Sequence, residues 1–538
     1  MTADFLPGRM QATPLTLRMI FDRMRTIHGD GRVIGHDGTF TYAEAGERIL
    51  RMARALVDDL GVCPGDRVAS FGFNTARHFE LYYAVPLVGA VLHTVNVRLF
   101  EDQIAYIVNH AADRVMFVDD ELIDAVAQVA PSFETVERYV RLAPGDRTGD
   151  LPGLLDGDEL VAAADPLTDL PDIDENAAFG LCYTSGTTGM PKGVLSSHRG
   201  MVLHTFGFCM AGHLGLLETD VVFPVVPLFH AFGWGLTYAA PFVGAELVLH
   251  GSDSTPEHLG GLIDQHGVTV AAGVPTIWKQ LLPLLDNGTV KGSTLRQVAV
   301  GGSASPRALI EAYENRDIPY LQIWGMTETG PAACASRPRR RHAGLDREAI
   351  LDVKEKTGTI FSGLEARITD PEGVPLPWDG QTVGELEVRG PWIASSYYGD
   401  EGAEKFNDGW LRTGDVAWME PDGYFRIVDR AKDLVKSGGE WISSVELEGE
   451  ILAHPDVADA AVIGLPHPKW DERPVAVIVP ADPGAPPDLA SIHTFLADRV
   501  AKWWLPDQVV VVDEIPKTSV GKLDKKLLRA QLEHVRLG

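Results

Sequence analysis

The sequence predicts an α/β protein. We expect a large N-terminal domain of layered α/β sheets with a small β-rich subdomain, followed by a small α+β C-terminal domain. Three observations lead to this prediction. The chain has 538 residues, too many for one ordinary hydrophobic core. Apolar β-branched runs alternate with amphipathic helical stretches, which is typical of sheets with parallel strands. Near residue 432 a run of charges of both signs, DRAKD, interrupts this pattern.

The alternation of strands and helices is clearest in the first 303 residues. DRVASFGFN (66–74) predicts a strand that leaves a turn, and HFELYYAVPLVGAV (78–91) predicts a helix. VTVAAGVP (268–275) and RQVAVGGS (296–303) predict strands that end in glycine. Together these segments indicate α/β layers built on parallel sheets.

The pattern changes in the last third of the chain. After about residue 360, short strands and turns such as GELEVRGPW and DGYFRIVDR predict the β-rich subdomain before Arg430. VELEGEILAHP predicts a helix, and Ser443 and Glu446 have the spacing of a capping box. ADAAVIGLP and PVAVIVP predict a pair of strands. We therefore place the domains at 1–431 and 432–538.

The composition argues against several classes of function. Hydrophobic residues make up 45% and charged residues 23% of the chain, as in soluble globular proteins. The 47 Lys and Arg residues against 75 Asp and Glu residues give a net charge of −28. This charge disfavours nonspecific binding to nucleic acid or to an anionic membrane. An anionic ligand would need the few cations to be concentrated at its site.

The cysteines and the apolar runs predict a cytoplasmic protein without a membrane span. The four cysteines are scattered and form no C-x-x-C pair, so a reducing compartment fits better than a disulfide framework or a zinc site. The N-terminal segment lacks the apolar core of a signal peptide. The longest apolar run, 221–245, contains three prolines and His230, and we interpret it as buried strands and turns.

One stretch, YTSGTTGMPKG (183–193), contains almost nothing to bury. Its glycines let backbone N–H groups converge on one point, and such a concavity binds anions. The hydroxyls add donors and Lys192 adds a charge, so the stretch suits a polyphosphate. Its spacing differs from the Walker A loop. The alternative interpretation is a flexible surface loop.

Segment 184–193 resembles the signature of the adenylate-forming superfamily, which contains acyl-CoA synthetases, luciferases and nonribosomal adenylation domains. Further segments match the family in its order, from roughly residue 30 to residue 530: PLFHAFGWG, GGSASP, QIWGMTET, WLRTGD, DRAKDLVKSGGEW and PKTSVGKLDKKLLR. The resemblance implies the family's fold, including a mobile C-terminal domain.

The resemblance also implies a site for ATP and Mg²⁺. The residues that would cradle the β- and γ-phosphates are Thr184, Ser185, Thr187, Thr188 and Lys192. Glu328 would bind Mg²⁺ together with Thr184, because this ion prefers oxygen ligands. Residues implied to contact the rest of the nucleotide are Gly302, Gln322, Ile323, Trp324 (stacked on adenine), Thr327 (at the α-phosphate), Asp415 (at the ribose hydroxyls), Arg430, Lys432 and Lys436.

The implied reaction has two halves. A carboxylic acid and ATP form acyl-AMP and pyrophosphate, and Lys522 would be the catalytic cation between the two anions. The C-terminal domain would then rotate about the hinge Lys432, and the thiolate of coenzyme A would attack the acyl-AMP. The implied coenzyme A tunnel is bordered by Gly438, Gly439 and Trp441, where glycine would allow close approach of the pantetheine arm.

Within the superfamily, the tract DRAKDLVKSGGEWISSVELE looks most like bacterial long- and medium-chain fatty-acyl-CoA synthetases. The acyl pocket would then include His230, Ala231, Phe232 and the gating residue Trp234. Ile323 replaces a family glycine and Phe232 adds bulk near the gate, so we expect a reshaped or shortened pocket. A fatty acid is the first prediction for the substrate, and a short thioether or aryl acid is the alternative.

Other members of the superfamily provide competing predictions. A carrier-loading adenylation enzyme is one, although His230 stands where amino-acid-loading modules place an aspartate. A luciferase and a noncatalytic nucleotide sensor are the others. The Arg339–Arg340–Arg341 cluster could meet the 3′-phosphate of coenzyme A, but we favour a solvated loop. The N-terminal region is amphipathic enough to permit a homodimer.

Overall fold

The computed structural model of the chain describes residues 8–184, 190–400, 402–438, 440–517, 523–535 and 537. It contains three β-sheets and the helices that cover them. The helices are α1 (Leu17–Thr26), α2 (Tyr42–Asp58), α3 (Ala76–Leu87), α4 (Glu101–Ala111), α5 (Ile123–Val129), α6 (Gly157–Ala163), α7 (His198–Cys209), α8 (Leu236–Val243), α9 (Pro256–His266), α10 (Pro275–Asp286), α11 (Arg307–Glu314), α12 (Arg347–Glu355), α13 (Ser444–Leu452), α14 (Leu489–Leu496) and α15 (Lys525–Gln531).

The strands are β1 (Arg32–Gly35), β2 (Gly38–Thr41), β3 (Arg67–Phe71), β4 (Val91–Thr94), β5 (Asp113–Val118), β6 (Arg138–Arg141), β7 (Leu155–Asp156), β8 (Ala178–Tyr183), β9 (Gly193–Ser197), β10 (Val221–Pro224), β11 (Glu246–Val248), β12 (Val270–Gly273), β13 (Gln297–Val300), β14 (Tyr320–Gly325), β15 (Ala332–Ala335), β16 (Gly358–Ile360), β17 (Glu365–Thr369), β18 (Val383–Arg389), β19 (Phe406–Asn407), β20 (Trp410–Met419), β21 (Tyr424–Arg430), β22 (Val435–Ser437), β23 (Glu440–Ile442), β24 (Val457–His467), β25 (Asp471–Pro480) and β26 (Gln508–Val511).

The first sheet has the strand order β7-β6-β5-β3-β4-β8-β9. Its strands are parallel except for β9, which pairs antiparallel with β8. The parallel α/β layer predicted from the first third of the sequence is therefore confirmed. The segment predicted as one helix over 78–91 is divided, because α3 ends at Leu87 and Val91 begins β4 between β3 and β8.

The second sheet has a mostly parallel part and an antiparallel part, and β14 belongs to both. From β2 to β14 the order is β2-β1-β11-β10-β12-β13-β14, mostly parallel, and beyond β14 the strands are antiparallel in the order β15-β16-β21-β20-β18-β17. The first half of β14 pairs with β13, whereas Ile323 and Trp324 pair with β15. The predicted β-rich subdomain is thus present, and QIWG lies at its junction with the parallel layer.

The third sheet is formed after Val435 and has the order β23-β22-β25-β24, with β26 parallel to β25. The predicted pair of strands is the antiparallel β24–β25 pair. Sheet membership changes between Arg430, which ends β21, and Val435, which begins β22. The domain boundary at 432 agrees with this change and stays a prediction.

The main hydrophobic core lies between the first two sheets. All residues of α3 are buried, and this helix contacts β3, β4 and β8 of the first sheet and β1 of the second. A helix between two sheets can be apolar on every side. In the part of the chain that the structure describes, no helix combines the length and the apolarity that a membrane crossing requires.

Candidate active site

The glycine-rich stretch connects the antiparallel strands β8 and β9. Tyr183 and Gly193 face each other at the open end of this pair, so both ends of the connection are fixed. The Thr184 N–H donates to the Lys192 carbonyl over 2.9 Å, and the Lys192 N–H donates to the Thr184 hydroxyl over 3.3 Å. Three of the predicted phosphate contacts, Ser185, Thr187 and Thr188, lie outside the described residues.

The side chain of Lys192 lies against a second segment of the chain. Its ammonium is 3.6 Å from the Glu404 carboxylate and 5.2 Å from the centre of the Tyr397 ring. Glu404 is largely exposed, which makes the ion pair weak and exchangeable. Lys192 therefore lies at the end of the loop, in an ion pair that could be exchanged for a phosphate.

Glu328 lies in a single helical turn, Thr327–Thr329, directly after β14. Its side chain is buried, and the Tyr397 hydroxyl donates to its Oε1 atom over 2.5 Å. The backbone is fixed as well, because the Ala394 N–H donates to the Glu328 carbonyl over 2.8 Å. Burial and then the neighbouring carboxylate raise the pKa of Tyr397, so the phenol stays protonated and remains the donor.

Asp415 is the centre of a second carboxylate site. Strands β20 and β21 pair Asp415 with Arg430, and the Arg430 Nε atom lies 2.8 Å from Asp415 Oδ1. The Trp324 indole N–H donates to Asp415 Oδ2 over 3.0 Å, and its ring packs edge-on against Phe425. The structure therefore brings together three residues that the resemblance assigned to ribose and adenine.

Gln322 and Ile323 are buried beside this site. The Gln322 amide donates to the carbonyls of Lys354 (2.7 Å) and Glu355 (3.0 Å), at the end of α12. This amide therefore holds α12 against β14, and its nucleotide contact stays a prediction. The Ile323 side chain packs in the main core. Its added bulk is thus accommodated by neighbouring core residues, and its effect on the acyl pocket also stays a prediction.

The GGSASP turn after β13 requires its glycines. Gly302 has a φ of +88°, which L side chains rarely adopt. A Cβ atom on Gly301 would lie 2.5 Å from the Ile323 carbonyl oxygen and 3.1 Å from the Trp234 ring. The turn is therefore clamped between β14 and the Trp234 indole, with no room for a larger side chain.

The predicted acyl segment contains an unusual left-handed turn. The φ angles of Ala231, Phe232, Gly233, Trp234 and Gly235 are 40°, 51°, 56°, 56° and 74°. Each non-glycine residue in this conformation costs roughly 1–2 kcal/mol. Buried tyrosines of α3 hold both flanks, because the Tyr82 hydroxyl donates to the Leu228 carbonyl and the Tyr83 hydroxyl donates to the Thr237 carbonyl over 2.8 Å.

The left-handed turn separates the predicted acyl residues into two environments. The Phe232 ring is 2% exposed and packs on Phe179, so it supports the segment from the core. The Trp234 ring is only partly buried and reaches Gly301. His230 precedes the turn and is also partly buried. The acyl roles of His230, Ala231, Phe232 and Trp234 remain predictions, but Trp234 is the large ring available to form a pocket wall.

His204 was missed by sequence reasoning. Its ring packs against the left-handed turn at Gly235 and edge-on against Trp392. The Ala332 N–H donates to its Nε2 atom over 3.3 Å. Burial lowers the pKa of His204 to about 3, so the imidazole is neutral near pH 7. A single histidine on the buried face of a helix has no sequence pattern from which its contact with the left-handed turn could be predicted.

The segment after the hinge contains the predicted coenzyme A residues. Gly438 has a φ of +64°, and a Cβ atom on it would lie 2.8 Å from the Trp470 ring. This close approach to Trp470 is a different reason for glycine from the pantetheine arm that we expected. Trp441 is half exposed, with the Lys436 ammonium 5.3 Å from its ring centre. Gly439 and Lys522 lie outside the described residues.

The hinge is connected to the last helix. The Arg529 side chain pairs with Asp433 over 2.8 Å and donates to the Lys432 carbonyl over 3.4 Å. Burial lowers the pKa of Lys432. Arg529 thus connects α15, which follows the predicted catalytic segment, to the predicted pivot. The hinge role of Lys432 stays a prediction.

Two residues of the exposed basic cluster Arg339–Arg340–Arg341 contact the segment that leads into β21. The Arg339 side chain donates to the Asp422 carbonyl over 3.2 Å, and Arg341 forms an ion pair with the Asp422 carboxylate. Both guanidinium groups lie over the Tyr424 ring. The cluster therefore packs on the start of β21 at the surface of the molecule.

Comparisons with known proteins identify the family of the chain. The family model described as AMP-binding enzyme matches residues 22–398, and that of the AMP-binding enzyme C-terminal domain matches residues 446–522. The chain is 44% identical to the 3-methylmercaptopropionyl-CoA ligase of Ruegeria pomeroyi, with 99% of this chain and 100% of that protein covered. It is 43% identical to the long-chain-fatty-acid–CoA ligase of Thermus thermophilus, with 98% and 97% covered.

The fold is also that of a solved relative. The structure of the anthranilate CoA ligase AuaEII in complex with anthranoyl-AMP matches with a TM-score of 0.87 and 26% identity, covering 98% of this chain and 99% of that chain. The predicted superfamily, its two-domain fold and the enzyme class, an AMP-forming acyl-CoA synthetase, are confirmed. The chain belongs to the family of AMP-binding enzymes.

Proposed function

We propose that this AMP-forming acid–CoA ligase acts on a short apolar carboxylic acid, with a thioether acid of the 3-methylmercaptopropionate type as the first candidate. The observation that carries the proposal is the wall at the predicted acyl segment, where Trp234 lies against Gly301 and Phe232 fills the space behind. Large rings on both sides of the left-handed turn favour a short acid. The Ruegeria relative, named for a short thioether acid, supports the same choice.

In the first half-reaction, a carboxylate oxygen of the acid attacks the α-phosphorus of ATP and pyrophosphate leaves. Asp415 would hold the ribose hydroxyls while Trp324 contacts the adenine, and the loop ending at Lys192 would hold the leaving phosphates. Thr327 would lie at the α-phosphate. Lys522 would provide the cation between the two anions. The described geometry supports these roles by placing Asp415, Arg430 and Trp324 together.

The residues around Glu328 fit Mg²⁺. Glu328 Oε1 accepts the Tyr397 bond, and within the described ranges no hydrogen-bond donor reaches its Oε2 atom. Those ranges also contain no cluster of three or more His, Cys, Asp or Glu residues suited to a metal ion. One carboxylate combined with substrate phosphates is the usual protein contribution to a Mg²⁺ site. When bound, Mg²⁺ would neutralise negative charge on the phosphates of ATP.

In the second half-reaction, the coenzyme A thiolate attacks the acyl carbonyl and AMP leaves. We assign the first half-reaction to domain 1–431 and the coenzyme A step to domain 432–538, with rotation about Lys432 between them. Lys436, Gly438, Gly439 and Trp441 would border the entry of the thiol. The half-exposed Trp441 beside the Lys436 ammonium supports this assignment. A cytoplasmic location and a homodimer are part of the same proposal.

The second candidate substrate is a fatty acid of medium or long chain. The Thermus relative, named for long-chain fatty acids, is only slightly less similar to this chain. The same wall would then have to open at Trp234, because a longer acyl chain needs a tunnel past the left-handed turn.

The test is a panel of acids from three to eighteen carbons that includes 3-(methylthio)propionate and aryl acids. We would measure AMP and thioester with ATP, Mg²⁺ and coenzyme A. The proposal predicts the highest kcat/KM for short acids. Trp234→Ala should shift the ratio of kcat/KM for octanoate to that for the short acid about tenfold toward octanoate.

The matched control is Trp378→Ala, because this tryptophan is exposed in the loop before β18. A wild-type preference for C12–C18 acids would overturn the first candidate in favour of the second. AMP formation without thioester would indicate a carrier-loading enzyme. An unchanged ratio in Trp234→Ala would contradict the role of this ring as the wall.

A further inference from the structure

We propose that Tyr397 is a positioning residue for the binding of MgATP. Its side chain holds the Glu328 carboxylate and the Lys192 ammonium in a defined position relative to each other. Tyr397 lies between β18 and β20, remote in sequence from both residues, and is buried. The inference rests on the proposed roles of Glu328 at Mg²⁺ and Lys192 at a phosphate.

The first contact is the hydrogen bond from Tyr397 to Glu328. At 2.5 Å it has the short length of an O–H bond to a carboxylate. The bond engages Oε1 and therefore restricts how the carboxylate can turn. Groups that hydrogen-bond to metal ligands orient them, and their loss typically reduces metal affinity 10- to 100-fold. Tyr397 would play this part for Glu328.

The second contact is between the ring of Tyr397 and Lys192. The ammonium lies 5.2 Å from the ring centre, within the range of a cation–π interaction. A Cβ atom on Gly402 would lie 2.5 Å from the same ammonium, so the chain after Tyr397 wraps closely around the lysine. One side chain thus contacts the predicted metal carboxylate with its hydroxyl and the predicted phosphate lysine with its face.

The segment of Tyr397 is itself attached to the base of the phosphate loop. The next residue, Tyr398, packs edge-on against His110, and His110 Nδ1 lies 2.7 Å from the Tyr183 hydroxyl. A Cβ atom on Gly193 would lie 3.1 Å from Tyr398. Tyr183 and Gly193 flank the loop, one on each side. The contacts of Tyr398 therefore connect the segment of Tyr397 to both ends of the loop.

The test is Tyr397→Phe, which keeps the ring over Lys192 and removes the hydroxyl. We would measure ATP binding by calorimetry over a series of Mg²⁺ concentrations, without acid or coenzyme A. The Mg²⁺ concentration for half-maximal binding should rise about tenfold, and excess Mg²⁺ should restore ATP affinity. Tyr397→Leu also removes the ring and should weaken ATP binding even at saturating Mg²⁺.

The matched control is Tyr313→Phe. Its hydroxyl donates to the Trp278 carbonyl over 2.8 Å, so this variant loses one buried tyrosine hydrogen bond in a core separate from the site. A merely structural role predicts that Tyr397→Phe changes the melting temperature as Tyr313→Phe does and leaves the Mg²⁺ curve unchanged, which would overturn the inference. Wild-type protein that binds MgATP but forms no thioester with any acid would instead overturn the proposed function.

Discussion

Asp429 and Arg430, the last two residues of β21, differ in their exposure to solvent and in the groups that compensate their charges. Arg430 pairs with Asp415 toward the proposed ribose site, and its side chain is 39% exposed. Asp429 is buried, and its Oδ2 atom accepts the N–H of Ser444 over 2.6 Å and the Ser444 hydroxyl over 2.5 Å. Successive side chains of a strand point to opposite faces, so Arg430 faces the proposed ribose site while Asp429 faces Ser444, which follows β21 in the chain.

The Asp429 side continues as a closed network. The Lys525 ammonium donates to the Ser444 hydroxyl over 2.6 Å and pairs with Glu448 over 2.7 Å. Glu448 in turn accepts the Val462 N–H over 2.7 Å. These side chains belong to α13 and α15 of the C-terminal region, whereas Asp429 belongs to β21. Every charge in the network has a partner, which buried charges require.

The comparison indicates which charges can exchange partners. The Arg430–Asp415 pair has a partly solvated cation, and among the described residues the Trp324 indole is the neutral donor to the Asp415 carboxylate. Ribose hydroxyls could therefore replace part of its bonding at low cost. Without Lys525, Glu448 would lose its ion pair, and Asp429 would keep only its neutral bonds from Ser444 and the backbone. The first pair fits a binding site, and the network fits a rigid contact beside the predicted hinge.

The largest effect is expected from Lys525→Met. This change leaves two buried carboxylates, Asp429 and Glu448, without their cation, and breaking a buried pair in this way costs about 3 kcal/mol. The free energy of unfolding, measured by denaturant titration, should fall by that amount. ATP affinity should stay within about twofold, because the network lies on the opposite face of β21 from Asp415.

Lys526→Met is the matched control, since the next residue is exposed. It should change the stability by less than about 0.5 kcal/mol. If the two variants unfold at the same denaturant concentration, the network contributes no rigidity and the contrast between the two sides of β21 fails.

The next effect is expected from Asp415→Asn. The amide keeps the size of the side chain but loses the charge that pairs with Arg430 and that, in the proposed site, would accept two ribose hydroxyls. ATP affinity, measured by calorimetry, should fall about 100-fold, while the unfolding free energy changes little. Glu365→Gln provides the control, because it breaks a carboxylate–arginine pair with Arg389 that is exposed on the same sheet. Equal ATP affinity in both variants would remove Asp415 from the nucleotide site.

Some features of the proposed site could be predicted from the sequence because they lie within short, continuous segments. A loop rich in glycine and threonine after an apolar strand predicts an anion site, and the structure places its ends between β8 and β9. The WLRTGD segment lies in β20 and the DRAKD segment begins in the last two residues of β21, and the pairing of these strands brings Asp415 and Arg430 together. The roles of Asp415 and Arg430 were implied by the resemblance to the superfamily, and the pairing of β20 with β21 is what the structure adds.

The features that sequence reasoning missed are contacts between distant segments. Tyr397 and Glu328 are 69 positions apart, and no periodicity links a tyrosine after one strand to a glutamate after another. The left-handed turn at Ala231–Gly235 contains bulky residues that intrinsic preference would exclude from it, and tertiary bonds from α3 hold it in place. Helix 78–91 was predicted too long because strand pairing at Val91 outweighs local pattern.

The smallest effect concerns the pH dependence of the closed network. Burial raises the pKa of Glu448 to about 7, against the opposing effect of Lys525, whereas the unfolded chain has its ordinary carboxyl pKa of 4.5. Between these values the folded state holds a proton that the unfolded state has released. Stability should therefore fall as the pH rises from about 4.5 to 7, by about 2 kcal/mol, and this part of the slope should be absent in Glu448→Gln.

The measurement is the free energy of unfolding of wild type and Glu448→Gln across that pH range. Glu450→Gln is the control, because it makes the same change on the same helix at a carboxylate that is one-third exposed and paired with Arg499. Parallel slopes for wild type and Glu448→Gln would mean that Glu448 stays ionised beside Lys525 and that the network is held by full charges. A flatter slope only in Glu448→Gln would mean that the contact beside the hinge tightens as the pH falls.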